Sequence, residues 1–153
     1  MLLSRVVSWS TPSIHDTLRE GARLGVALAV ITWLWVAAVD IIAGQPFHTF
    51  AALGGVIPFT VGHLLLNILL GVVLVSVVHS AAQAPSVILG MIFCGIIFEV
   101  GIAMTTNLLS QYIGNIVWLG LFGGSLLSTA AAIALLAHGH PLLDYLHRAE
   151  EEK

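Results

Sequence analysis

Residues 24–43 read LGVALAVITWLWVAAVDIIA, an apolar run with one charged residue, Asp40. About 20 helical residues cross a hydrocarbon core. Only helices and closed barrels satisfy their backbone polar groups in lipid. The run is continuous rather than alternating, so it reads as a transmembrane helix. Three more stretches have the same character, at about 59–78, 87–106 and 113–137.

Composition supports this reading. The chain has 153 residues, 58% hydrophobic and 8% charged. A soluble domain carries about 25% charged residues. Too few charges exist here to cover a water-exposed surface, and a small domain cannot bury so much apolar surface in one core. The missing solvent is lipid. The length suits one membrane domain, 1–153.

The links between the runs are short. Gly44-Gln45-Pro46 ends the first. Residues 47–58 hold two glycines and a proline and suit the membrane interface, with a slight dip into it as an option. Ala81–Ser86 is a tight turn, and Asn107–Gly114 is a polar link. Short links make antiparallel neighbours. The expected fold is all-α, a four-helix transmembrane bundle running up-down-up-down.

Before the first span, Thr11-Pro12-Ser13 followed by Asp16 reads as a helix start. Residues 1–23 are expected to form an amphipathic cytoplasmic lead-in, and 138–153 a polar, helix-prone cytoplasmic tail. With no sustained apolar core ahead of Ser8, the first span is expected to act as an uncleaved signal anchor. All five basic residues sit at the ends: Arg5, Arg19, Arg23, Arg148 and Lys153. Lys and Arg beside spans stay in the cytoplasm. Both termini are therefore expected inside, which four spans allow.

Helices in lipid associate through small residues and polar contacts. Gly120, Gly124 and Ser128 share one face of the fourth span, and Gly90 and Cys94 one face of the third. These five residues are expected to form a seam between the two spans, with a homodimer interface at the fourth as the alternative.

With this topology, Asp40, His63, Asn67 and Glu99 all fall in the outer half of the membrane. A charged carboxylate in a span is costly and usually faces a partner. His63 is the expected partner of Glu99, with Asn67 one turn from His63. Such a cluster could bind a divalent metal through His63, Glu99 and Asp40, or relay protons. It could equally lock the helices together. Heme is disfavoured, because no second intramembrane histidine exists for a paired ligand. His79 reads as an interface residue, and His138-Gly139-His140-Pro141 as a polar helix exit. The single cysteine, Cys94, excludes an internal disulfide and a cysteine zinc site. No basic patch supports nucleic-acid binding. Partners are expected to be the bilayer, a membrane complex or a second copy.

The stretch Val39-Asp40-Ile41-Ile42-Ala43-Gly44-Gln45-Pro46-Phe47-His48-Thr49, then Ala52-Leu53-Gly54, Gly62-His63 and Phe98-Glu99-Val100-Gly101, resembles a group of uncharacterised four-span bacterial membrane proteins of about this length. The resemblance covers the spans. It implies a bacterial inner-membrane location and treats His63 and Glu99 as a set, without implying an activity. The leading functional expectation is a non-enzymatic accessory or structural subunit.

Overall fold

The computed structural model describes residues 13–81, 84–142, 144, 146 and 147, without the side chains of 109, 112 and 113. The chain before Ser13, the turn residues Ala82 and Gln83, the Tyr112 side chain and most of the acidic tail lie outside the described residues, as do Arg5, Arg148 and Lys153. Five helices follow one another: α1 (Ile14–Ile42), α2 (His48–Ala52), α3 (Val56–Ala81), α4 (Ser86–Ile113) and α5 (Asn115–Gly139). Four of them are long and apolar enough to cross a membrane, and α2 is a short helix between α1 and α3. The protein is an all-α, multi-pass membrane protein.

α1 begins where the sequence places a helix start. The Ser13 hydroxyl oxygen accepts the Asp16 backbone N–H at 3.2 Å, satisfying one of the free donors at a helix N-terminus. The helix then continues for 29 residues without a break. Lead-in and first span are thus one rod, because nothing between Ser13 and Leu24 interrupts helical hydrogen bonding. Likewise, α4 continues through Asn107 to Ile113 where a polar link was expected. Asn, Ser and Gln keep a helix going when no glycine or proline stops it. The reversal is made at Gly114 alone, at φ 87°, a left-handed region open to glycine.

One core cluster joins Leu24 and Leu28 of α1, Val75, Val78 and Ala81 of α3, Ile88 of α4, and Ala132 and Leu136 of α5. The starts of α1 and α4 therefore meet the ends of α3 and α5, which is up-down-up-down order. We call this the terminal end. At the opposite, loop end, Val36 and Ala37 of α1 pack with Phe50 of α2, flanked by Trp33, Trp35 and Phe59. α1 packs against both α3 and α5, while α4 packs on α5 and more lightly on α3.

Helix packing turns on one crossing. A Cβ added at Gly21 would lie 2.4 Å from Val72 Cα, and one at Gly25 would lie 2.3 Å from the Asn67 carbonyl oxygen. One at Gly71 would lie 2.2 Å from the Gly21 carbonyl oxygen. The α1 and α3 backbones touch, which small residues allow in a membrane. Gly120 and Gly124 do pack internally, but against α1 and α2. A Cβ at Gly124 would meet Thr32 at 3.0 Å and Trp35 at 3.3 Å, and one at Gly120 would meet Thr49 at 3.6 Å. Ser128 is half-buried. Gly90 has open space at its Cβ position and Cys94 is exposed. The expected seam between the third and fourth spans is therefore replaced: bulky Trp35 of α1 needs the small face of α5, and Gly90 and Cys94 are left outside.

Gly71→Ala should cost about 1–3 kcal/mol, the usual range for overpacking, because only helix separation can relieve a contact with backbone. Gly90→Ala should be neutral. Thermal unfolding of the two variants in detergent checks the difference.

Candidate functional site

Asp40 is fully buried near the end of α1. Its Oδ2 accepts the Thr49 backbone N–H at 2.8 Å, and its Oδ1 accepts the Thr49 hydroxyl at 2.6 Å. It thereby anchors α2, which follows Phe47, a non-glycine residue at φ 62°. Such backbone costs about 1–3 kcal/mol and persists where neighbours over-determine it. Here the neighbours are the Asp40–Thr49 bonds and the Phe50 ring, tilted against Phe47 at 5.8 Å between centroids.

Glu99 sits midway along α4. Its carboxylate accepts the Ser125 hydroxyl at 2.8 Å on Oε2 and the Thr129 hydroxyl on Oε1. Two hydroxyls one turn apart on α5 thus hold one carboxylate of α4. His63 lies half-buried on α3, stacked on Phe59 with centroids 5.1 Å apart. The Asn67 amide donates to the His63 carbonyl at 2.8 Å and lies 3.2 Å from its Nδ1. His63 borders an apolar cleft of about 390 Å³ together with Val26, Trp33 and Thr60.

The four expected cluster residues therefore occupy three places. Asn67 and His63 stay together on α3, as their four-residue spacing requires. Among the described residues, no hydrogen bond or ion pair joins His63 to Glu99, and neither is joined to Asp40. Asp40, His63 and Glu99 do not form a metal-ligating group. The physical reason is that nearer hydroxyls outcompete a distant imidazole. Ser125 and Thr129 face Glu99 directly, and Thr49 reaches Asp40 across a short loop.

A different constellation stands at the terminal end. Glu20 of α1 meets His140, the residue that caps α5, at 2.7 Å between Oε1 and Nε2. It meets His79, in the last turn of α3, at 3.4 Å between Oε2 and Nε2. The two imidazole rings stand edge to face at 5.3 Å. The His79 Nδ1 lies 3.0 Å from the Thr17 hydroxyl. Both histidine side chains are mostly covered, 16% and 15% exposed, whereas Glu20 is 44% exposed. Sequence reasoning missed this group, since Glu20 and His140 are 120 residues apart. The signal was topological: in an up-down bundle, the start of α1 and the ends of α3 and α5 share one end.

These features define a multi-pass helical membrane protein with polar ties between its helices. Comparison of the chain with family models, curated proteins and solved structures gives no match.

Thr49→Val should destabilise the protein by about 1–3 kcal/mol, the cost of stripping a partner from a buried polar group, read as a lower Tm in detergent. His63→Gln and Glu99→Gln should be additive within about 0.5 kcal/mol, as for sites without shared partners. A double-mutant cycle by thermal unfolding checks this.

Proposed function

We propose that this chain is a non-enzymatic accessory or structural subunit of a membrane complex, resident in a bacterial inner membrane with both termini in the cytoplasm. The basic residues flanking the first and fourth spans support that orientation. The observation that carries the subunit reading is the surface of α4. Of its apolar window only 6% is buried, against 33% for α1 and 22% for each of α3 and α5. Residues 92–98 are exposed without interruption, and seven consecutive residues go fully round a helix.

Gly90, Cys94, Gly95 and Gly101 belong to this surface, and the three glycines have open space where a Cβ would be. Small residues give lipid little to contact, but they let another helix approach closely. The combination suits a helix of a partner membrane protein. A transport reading has less support, because Asp40, His63 and Glu99 are engaged in three separate places rather than along one path.

Cys94, the sole cysteine, reports directly on this surface. A photo-crosslinker attached to it in native membranes should give one discrete protein adduct, weakened at least tenfold by Gly95→Leu and Gly101→Leu. Lipid adducts alone would overturn the subunit reading. An adduct of twice the chain mass would replace it with self-association.

A further inference from the structure

We propose that Glu20, His79 and His140 form a binding site for a divalent transition-metal cation of the Zn²⁺ class. Their ligand atoms all lie within 4.8 Å of one another. Two imidazoles and one carboxylate suit zinc and its borderline neighbours, whereas calcium and magnesium prefer all-oxygen sites. Zinc–ligand bonds of about 2.0–2.1 Å set tetrahedral ligands about 3.4 Å apart. His79 Nε2 already stands 3.4 Å from the Glu20 carboxylate. His140 Nε2, 2.7 Å from the other carboxylate oxygen, needs to open by about 0.7 Å to reach that spacing, which a carboxylate 44% exposed permits.

A partner for the second ring nitrogen of His79 is also in place. A hydroxyl carries one proton, and Thr17 Oγ1 is placed to donate it to the Ser13 carbonyl at 3.3 Å. In that arrangement it can accept from His79 Nδ1, 3.0 Å away, which turns Nε2 toward the carboxylate as a metal ligand would stand. Histidine ligands are commonly oriented in this way, with the second ring nitrogen donating to a neighbouring oxygen.

Three ligands leave a fourth position for water or a further donor. A groove of about 220 Å³, lined by Glu20, Arg23, Leu24 and residues of α3 and α5, opens beside the carboxylate and offers an approach. Arg23 adds a positive charge there. A divalent ion on Glu20 and two neutral imidazoles leaves a site charge of only +1. Bound metal would tie α1, α3 and the exit of α5 together at one end.

The test uses the full-length chain, purified without a histidine tag, stripped with chelator and held in detergent micelles. Titration with Zn²⁺ followed by calorimetry should give one ion per chain, with a Tm that rises with Zn²⁺ concentration. His79→Gln and His140→Gln should each weaken binding at least tenfold. Thr17→Val should weaken it about 10–100-fold while keeping the stoichiometry, as loss of an orienting partner does. His63→Gln and His138→Gln should leave it unchanged. If the histidine variants misfold, Thr17→Val still decides. Absence of stoichiometric binding, or binding that the His79, His140 and Thr17 variants all leave intact, would overturn the site and leave a carboxylate–imidazolium cluster.

Discussion

α1 and α3 cross with their backbones in contact at Gly21, Gly25 and Gly71, and the rest of the bundle is arranged around that crossing. Lipid competes for every apolar contact, so association depends on packing at close range and on polar ties. α5 packs along an adjacent ridge of α1, next to the one that α3 occupies. There Thr32, Trp35 and Val36 lie against the small face at Gly120, Gly123 and Gly124. α1 becomes the central rod, and α4 is left at the periphery.

The polar groups act within this frame as pairwise ties. Asp40 holds α2 to α1, Glu99 holds α4 to α5, and the Glu20 cluster gathers α1, α3 and the exit of α5. Each tie is worth little by itself, about 0.6 kcal/mol for an average polar contact within a membrane. Their role is to choose one arrangement among several with similar apolar contact. Glu99 shows this most clearly: α4 has little apolar burial of its own, and two hydroxyls set its rotation against α5.

The number of spans and their alternation were legible in the sequence because both follow from bulk properties, the length of apolar runs and the shortness of links, whereas the short α2 was not. Helix partnership was not legible to the same degree. Gly21 falls in the expected lead-in and Gly25 in the expected first span, so their four-residue spacing straddles a boundary and does not stand out as that of Gly90 and Cys94 does. Glu99 was matched to another ionisable group, His63. A carboxylate is satisfied equally well by hydroxyls, and Ser125 and Thr129 carry no charge that would mark them as partners. His79 and His140 looked ordinary one at a time. Only the shared end of the bundle gives them a common carboxylate.

The single-residue reversal at Gly114 bears on how the chain enters a membrane. A lone α4 would carry the Glu99 carboxylate toward the bilayer interior without a partner, where acidic side chains cost about 2.5–3.5 kcal/mol on insertion scales. One glycine leaves no slack for α4 to integrate well before α5 emerges. The two must partition as a hairpin, and Glu99 then arrives already solvated by the Ser125 and Thr129 hydroxyls. Brevity of the connection thereby lowers a barrier during biosynthesis that the finished fold no longer displays.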